Sequence, residues 1–352
     1  MEIRRVVGTA VLSAAILGAQ AAAQPTPQEL IDGGHFRLLR ALVATRNPND
    51  AETVYLKAAI QQLWGNLDEA EKLGEKAVAM DAKDVRFHYR LGMIEGEKAR
   101  KASLIHALGL ARRFKREVDI TLTLDPNHIR ALHTLVAFNL EAPSIVGGDK
   151  AQARVIAERL MKIDPVEGYR ALITIAHAEK REDRIEGYVR KAVAERPESY
   201  EAHLLLGNWC AEQKKYDEAE REARAAMQVY PDRAAPYTLL AAAMVWQSKW
   251  SELDATLGQA EQADAEDFAP YFRAATECLE RKVELPRAER YLRKYLTQEA
   301  EPRSPSLGMA HWKLGLVLEQ EGRKAEAIAE LQAAVKLGGS AAVKADLRRV
   351  AH

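Results

Sequence analysis

Residues 200–233 read YEAHLLLGNWCAEQKKYDEAEREARAAMQVYPDR, and the order of small residues and prolines in this stretch decides the fold. Gly207 lacks a side chain, so two helices can approach each other closely at this point. Ala219 and Ala226 keep the second helix thin where it meets the first. Pro231 stops the second helix, because proline cannot continue a helical hydrogen-bond ladder. The stretch therefore predicts a pair of helices joined by a short turn.

The same helix pair recurs along the chain at a fixed spacing. Pro197 and Pro231 are 34 residues apart, which is the period of tetratricopeptide repeats. On these residues the chain resembles an exported bacterial tetratricopeptide repeat (TPR) protein. The resemblance implies an all-α, right-handed superhelical solenoid of about eight helix hairpins, with a concave surface where partners bind.

The repeat frame extends in both directions from this stretch. The predicted array spans 51–339, in units near 51–84, 85–128, 129–165, 166–199, 200–233, 234–267, 268–302 and 308–339. Residues 24–50 resemble a leading half repeat, with a helix from about Phe36 to Thr45. Residues 340–352 alternate apolar and charged positions as a polar-faced capping helix does, and such a cap covers the last apolar face of an open array.

The first 23 residues have a different composition. Arg4 and Arg5 precede an apolar run at 6–19, and the alanines at 21–23 form a small-residue cleavage site. This order is typical of a secretory signal peptide. No cysteine lies near the cleavage point, so we expect no lipid anchor. We predict removal of 1–23 and a periplasmic or secreted protein without stable membrane insertion.

The charges of the whole chain are balanced. There are 51 Lys and Arg residues and 51 Asp and Glu residues, so no overall field attracts nucleic acid, and we expect no nucleic-acid partner. The stretch 98–116 is locally basic. A solvated outer face is the favoured interpretation of it, and an anionic partner is the alternative.

The stretch 141–153, EAPSIVGGDKAQA, lies inside the third unit and carries five residues beyond the repeat period. A phosphate-binding loop needs Ser or Thr after its lysine and a preceding strand, whereas Lys150 is followed by Ala151. We therefore predict an enlarged turn in which proline ends one helix, two glycines supply positive φ angles and an aspartate caps the next helix. The turn spaces the helices or forms a lip that touches a partner. Its predicted residues are Pro143, Gly147, Gly148 and Asp149.

No catalytic or metal-binding motif is present in the sequence. The nine histidines include no H-E-x-x-H pattern, and no G-x-S-x-G elbow marks a nucleophile. His203 and His311 occupy the fourth position of their units, where the family usually has a packed aromatic residue. Cys210 and Cys278 lie two units apart, too far for a disulfide. We predict a protein without enzymatic activity, cofactor or metal, and two buried free thiols.

The resemblance implies that the first helix of each unit lines a groove in which a partner binds. In the third and fourth units this frame predicts polar and cationic groove residues, and in the sixth to eighth it predicts mostly apolar ones. That pattern suits an extended peptide or a partner helix with an acidic part and an apolar part. Burial of Trp246 and Trp312 against neighbouring units is the alternative. The predicted groove residues are Arg130, His133, Arg170, Thr174, His177, Thr238, Val245, Trp246, Phe272, Leu279, Trp312 and Leu316.

Three functions remain compatible with the sequence. The favoured one is an exported scaffold or adaptor that binds a protein or peptide segment in the groove. The second is a small-molecule or lipid-binding envelope protein that serves a transporter or envelope assembly, and the third is an enzyme with an unrecognised site. A continuous open groove favours the first function, and an enclosed cavity lined by Trp246, Phe272 and Trp312 favours the second.

Overall fold

The computed structural model describes residues 25–352, and the predicted signal peptide at 1–23 lies outside them. Within this range the chain forms nineteen α-helices and two short 3-10 turns, with no strand. The helices are α1 (Pro27–Gly33), α2 (Phe36–Ala44), α3 (Ala51–Leu63), α4 (Leu67–Met80), α5 (Val85–Lys101), α6 (Leu104–Leu124), α7 (Ile129–Glu141), α8 (Lys150–Ile163), α9 (Pro165–Ala178), α10 (Ile185–Glu195), α11 (Tyr200–Glu212), α12 (Tyr216–Val229), α13 (Ala234–Trp246), α14 (Trp250–Ala263), α15 (Ala269–Arg281), α16 (Leu285–Tyr295), α17 (Leu307–Gln320), α18 (Lys324–Lys336) and α19 (Ala341–Ala351).

Helices α3 to α18 form eight consecutive hairpins that stack into a solenoid. In each hairpin the odd-numbered helix packs against the even-numbered helix that follows it. Helix α19 packs on α18, and its Val343 and Val350 are buried. The all-α solenoid expected from the sequence is confirmed.

Gly207 shows why the hairpins need small residues at fixed positions. A Cβ atom at Gly207 would lie 2.5 Å from a methyl carbon of Leu239 and 3.1 Å from Cβ of Glu222. Both distances are shorter than an ordinary carbon contact, so only glycine fits between α11, α12 and α13. Ala219 and Ala226 on α12 are fully buried at the same interfaces.

The fourth residue of several units ties its hairpin to the preceding loop. His203 Nε2 lies 2.8 Å from the Pro197 carbonyl oxygen, six residues earlier, and its Nδ1 lies 2.6 Å from Glu222 on the partner helix. His88 bonds in the same way, and the Tyr237 hydroxyl donates to the carbonyl six residues before it. These side chains are packed and hydrogen-bonded parts of the core. The hydrogen bond to Glu222 raises the pKa of His203.

The extra residues of the second unit lengthen both of its helices. Helix α5 has 17 residues and α6 has 21. At the tip of this hairpin Leu104 and Ile105 are 77% and 84% exposed. Much of the basic stretch pairs with acids, for example Lys98 Nζ with Glu71 at 2.6 Å and Arg113 with the same residue at 2.8 Å.

Cys210 and Cys278 are both buried and unpaired within residues 25–352. Burial raises the pKa of each thiol to about 12. A thiol with so high a pKa stays protonated and unreactive at neutral pH. The two cysteines are therefore structural residues of the array, as the sequence predicts.

Helix α1 precedes the helix that the sequence predicts at 36–45. Thr26 caps it by accepting a hydrogen bond from the Glu29 backbone, and the Glu29 carboxylate accepts one from the Thr26 backbone. Pro27 occupies the first turn, where its missing N–H costs nothing. Leu30 and Ile31 bury their side chains against the core of α2 and α3.

Candidate functional site

The first helices of the chain contact loops near its far end. The Arg37 backbone N–H on α2 donates to Glu301 Oε1 at 3.2 Å, and Arg37 Nη2 donates to the Glu266 carbonyl oxygen at 3.0 Å. Arg37 Nε also lies 3.2 Å from Glu301 Oε2, and the Glu301 side chain is only 3% exposed. Glu266 belongs to the loop between α14 and α15, and Glu301 to the loop between α16 and α17. The start of the array therefore contacts the loops that precede its last two hairpins.

Weaker contacts surround this central pair. His35 Nδ1 lies 3.6 Å from Asp264, and Arg40 lies 3.8 Å from Glu299. We call the contacts between residues 35–40 and residues 264–301 the latch.

Two acids in or next to the latch are protonated more readily than usual. Burial raises the pKa of Glu301 to about 7, against the lowering effect of Arg37. Burial also raises the pKa of Asp267. The charge of the latch therefore changes near neutral pH.

The concave side of the array carries a half-open cavity of about 800 Å³. Helices α3, α5, α7 and α9 and the start of α11 supply most of the wall. Ile31 and Asp32 of α1 and Arg303 of the loop after α16 complete it. Distant parts of the chain thus contribute to one cavity.

One wall of the cavity carries a network centred on Glu167. Its carboxylate lies 2.6 Å from His133 Nε2 and accepts from Arg170 at 3.0 Å. Although burial raises it, these hydrogen bonds hold the pKa of Glu167 below its ordinary value. Glu201, from α11, lines the same cavity. This wall is close to neutral, with acidic and basic groups paired.

The other wall carries an excess of positive charge. Arg130 forms an ion pair with Asp32 of α1. Arg90 and Arg303 form no ion pair with a carboxylate in residues 25–352, and Arg90 Nη1 donates to Gln62 at 3.1 Å. Glu97 of α5 also lines the cavity, and Gln62 Nε2 donates to its carboxylate at 3.4 Å, so the cavity holds acids beside its arginines.

The predicted polar groove residues fall into two neighbouring places. Arg130, His133 and Arg170 line the cavity, and Thr174 lies exposed one turn beyond Arg170 with its hydroxyl donating to the Arg170 carbonyl. His177 lines a separate cavity of about 420 Å³ between α9, α10 and α11.

The second, smaller cavity is bounded by acids and an aromatic ring. His177 Nδ1 lies 3.0 Å from Glu182, and Trp209 forms part of the opposite side. Lys215 Nζ sits 4.3 Å from the centre of the Trp209 ring. These contacts occupy His177 and the face of the Trp209 ring.

The predicted apolar groove residues of the sixth to eighth units do not form an exposed apolar wall. Val245 is fully buried and Phe272 and Leu279 are nearly so, because α13 packs directly against α15. Thr238 bonds its own helix backbone at Ala234, and Leu316 is half-buried against the core. We therefore remove Val245, Phe272 and Leu279 from the set of partner-binding residues.

Both predicted groove tryptophans make structural contacts. Trp246 stacks on Tyr216 with ring centres 5.1 Å apart, and its Nε1 donates to Glu277 at 2.5 Å. Trp312 Nε1 donates to Asp346 of the capping helix at 2.9 Å. This arrangement follows the alternative in which both rings pack against neighbouring parts of the array.

The inserted turn differs from its prediction at one glycine. Gly147 has a φ of 97°, but Gly148 does not have a positive φ. Gly148 is required for another reason, because a Cβ there would lie 1.9 Å from the Ala142 carbonyl oxygen. Asp149 caps α8 by accepting from the Ala151 backbone at 2.9 Å, and Pro143 precedes a 3-10 turn at Ser144–Val146. No residue of this turn lines the central cavity.

Several residues that line the cavity were not predicted from the sequence. Tyr89 and Arg90 occupy the fifth and sixth positions of the second unit, so the repeat frame could have found them. Glu167 and Glu201 lie at the second position of their units and were equally accessible to that reasoning. Arg303 lies between two units, and Asp32 lies on the unpredicted α1, so the frame carried no signal for either.

Two further properties follow from the described part of the chain. None of the helices in residues 25–352 has the length and apolar character needed to cross a membrane. Across the same residues, no cluster of His, Cys, Asp and Glu side chains is arranged to hold a metal ion.

Comparisons with known proteins identify repeats in part of the chain. Residues 186–237 and 284–342 match the family model for the tetratricopeptide repeat. No curated protein sequence matches the chain.

Solved structures with a related arrangement of helices are distant in sequence. A tetratricopeptide repeat protein of Parabacteroides merdae is 14% identical with a TM-score of 0.44, and the match covers 86% of this chain and 99% of that one. Yeast Tom70 is 12% identical with a TM-score of 0.46, over 88% of this chain and 83% of its own. A thermophilic TPR protein of Thermus thermophilus is 19% identical with a TM-score of 0.40, over 53% and 97%.

Proposed function

We propose that this tetratricopeptide repeat protein is a non-enzymatic, exported adaptor that binds a segment of another protein in its central cavity. The observation that carries the proposal is the cavity itself, whose wall is built from the first helices of successive repeats. Its polar and charged side chains, among them Arg90, Arg170 and Glu201, face a solvent-filled space on the concave side. Such groups offer hydrogen bonds and charge complementarity to a partner segment.

The size and lining of the cavity limit what binds there. A volume of about 800 Å³ holds a few residues, so the adaptor grips a short stretch or a chain end. A small-molecule site of similar size, roughly 300–1,000 Å³, is usually lined by apolar and aromatic groups. The charged lining of this cavity favours the protein segment over the small-molecule or lipid alternative.

Export is part of the proposal and rests on the composition of residues 1–23. Basic residues, an apolar run and a small-residue site follow one another in the order of a signal peptide. Cell fractionation followed by N-terminal sequencing tests this directly. We expect the protein outside the cytoplasm with Gln24 as its first residue. A cytoplasmic protein that retains Met1 would refute export.

Site-specific photo-crosslinking in cells tests partner binding. A photoreactive amino acid at Met93, in the cavity wall, should crosslink a defined protein, whereas the same group at exposed Val155 on α8 should not. The double charge reversal Arg170→Glu with Glu201→Lys alters two charged residues of the cavity lining and should abolish the Met93 product.

Two results would refute binding in the cavity. One is the same crosslinked product from Val155 as from Met93. The other is a product that survives the double charge reversal in a protein with unchanged circular dichroism and melting temperature.

A further inference from the structure

We propose that the arginine-rich wall of the cavity, formed by Arg90, Arg130 and Arg303, is a binding site for a multiply charged oxyanion, of the phosphate or carboxylate type. This inference rests on the proposed function, since both place the ligand in the same cavity, and it deepens that function by naming the chemical group that the ligand presents. Its test uses purified protein and small anions, so it does not depend on finding the partner.

Two of the arginines come from neighbouring repeats, and the third comes from a distant loop. Arg90 belongs to α5, Arg130 to α7 and Arg303 to the loop between α16 and α17. Both Arg90 and Arg130 project from first helices of repeats into the concave side, and Arg303 reaches them from the opposite end of the array. Their convergence is a property of the closed ring.

Arg90 has hydrogen-bonding capacity that the protein does not use. One guanidinium nitrogen donates to Gln62 Oε1 at 3.1 Å, and the guanidinium lies 5.7 Å from the Tyr55 ring centre. Its Nε is buried and has no hydrogen-bond partner within residues 25–352. The Nη2 nitrogen makes no hydrogen bond within residues 25–352 either and is not buried, so it can donate to an acceptor oxygen of a ligand.

Arg303 is presented by an anchored loop. The Phe268 backbone N–H donates to Gln298 Oε1 at 3.0 Å, the Tyr295 hydroxyl donates to the Pro305 carbonyl, and Glu301 is held in the latch. The φ angle of Arg303 is 70°, a left-handed conformation that is strained for a residue with a side chain. The loop therefore fixes this residue in place before any ligand arrives.

The charge of Arg303 is not neutralised by the protein. It makes no ion pair or hydrogen bond within the described range of the chain, and its guanidinium lies over the Phe36 ring at 5.3 Å. Partial burial and the nearby Arg90 and Arg130 lower the pKa of Arg303. Like charges crowded in this way raise the free energy of the closed ring, and a bound oxyanion offsets their repulsion.

The guanidinium group suits such a ligand in shape as well as in charge. Each presents a rigid fork of N–H donors that matches two oxygens of a carboxylate or phosphate. Three forks that approach from different chain segments can engage several oxygens of one anion at once. Arginines that only interact with solvent would not need to lie close to one another.

Asp32 is the carboxylate that forms an ion pair with one of these arginines, while Glu97 lines the same cavity without pairing with them. Asp32 pairs with Arg130 from α1. A bound anion must compete with this carboxylate or share Arg130 with it. Removal of the Asp32 charge should therefore strengthen anion binding, which is an effect that misfolding cannot produce.

Isothermal titration calorimetry at constant ionic strength tests the site with three probes: pyrophosphate, citrate and a short acidic peptide. We expect saturable binding of at least one probe. Arg303→Gln and Arg90→Gln should each weaken it roughly tenfold or more, since a hydrogen bond to a charged group is lost. Asp32→Asn should strengthen it several-fold. Preference among the probes distinguishes a phosphate group from free or peptide-borne carboxylates.

Arg112→Gln is the matched control, because Arg112 is exposed on α6 outside the cavity and makes no ion pair within residues 25–352. Its binding constant should equal that of the wild type. The proposal is overturned if no probe binds above a chloride control, or if the Arg112 variant loses as much affinity as the Arg303 variant. A weaker Asp32→Asn protein would also overturn it. If Met93 gives no crosslinked product while the anion still binds, only the proposed binding of a protein partner is refuted.

Discussion

Arg37 and Glu301 are 264 residues apart in the sequence, yet Arg37 Nε lies 3.2 Å from Glu301 Oε2. This pair joins the half repeat at the start of the array to the loop that precedes its last hairpin. It is the part of the latch with the least exposed carboxylate. This contact therefore joins two distant parts of the array.

Reversal of the Arg37 charge should open the ring. Above about pH 7, where Glu301 is charged, Arg37→Glu places a third carboxylate beside Glu301 and Glu266, and loss of one partner from a buried ion pair costs about 3–5 kcal/mol. We expect a larger radius of gyration by small-angle X-ray scattering and faster amide exchange in α1 and α2. Arg40→Glu is the control, because its 3.8 Å pair with Glu299 is exposed and such pairs contribute about 0–1 kcal/mol. Equal effects of the two variants would contradict the role of Arg37.

The latch should weaken as the pH rises through neutrality. Burial raises the pKa of Glu301 from 4.5 to about 7, so the folded protein holds this proton more tightly than the unfolded chain. Its contribution is fully present below about pH 4.5 and is lost as the pH rises through about 7, by at most about 3 kcal/mol. Amide exchange of α2, corrected for intrinsic rates, should accelerate between pH 5 and 8. Glu301→Gln should remove that pH dependence, and an unchanged profile in this variant would contradict the assignment.

His203 should add a second, separate pH dependence within the fifth unit. Its pKa is raised, chiefly by the hydrogen bond to Glu222, so the stabilisation is present below about pH 6.5 and is lost as the pH rises past the raised value. The expected loss is about 1 kcal/mol. His203→Tyr should place a hydroxyl near the Pro197 carbonyl, as Tyr237 does in the next unit, and should flatten the profile. Urea unfolding from pH 6 to 9 measures both, and a tyrosine variant with the wild-type slope would argue against this origin.

Two glycine-to-alanine substitutions should have opposite effects on stability. Gly207→Ala inserts a methyl group 2.5 Å from a Leu239 carbon, and overpacking of this kind costs about 1–3 kcal/mol. Gly258→Ala meets nothing within 4 Å in the middle of α14, so it should stabilise the helix by about 0.5–1 kcal/mol. Thermal unfolding of both variants measures the difference. A stabilised Gly207 variant would mean that α11, α12 and α13 are less tightly packed than the structure places them.

The hairpins could be predicted from the sequence, but the contact between the start of the array and its distant loops could not. Small residues such as Gly207 recur at the repeat period because two helices pack closely together in each hairpin. The helix pairs could therefore be predicted from the sequence. The contact of Arg37 with Glu301 depends on small rotations added over seven hairpins. No local pattern encodes that sum.

The groove was predictable where successive hairpins stack regularly. Arg130, His133 and Arg170 follow the repeat frame and do line the cavity. Val245 and Phe272 follow the same frame but are buried, since α13 packs directly on α15. Helix α1 was missed although Thr26, Pro27 and Glu29 carry a readable capping signature. The repeat frame therefore places residues in the cavity lining only where each unit contacts its neighbours in the usual way.

The latch also changes how the array should come apart. In an open repeat protein each unit touches only its neighbours, so both ends fray independently and unfolding spreads inward. Here the N-terminal helices are held by the loops around α15 and α16, and fraying at that end must break two interfaces at once. Helices α17 to α19 lie beyond the latch and retain one free end. Unfolding should therefore start at the C-terminal helices, and the helices that form the cavity should unfold last.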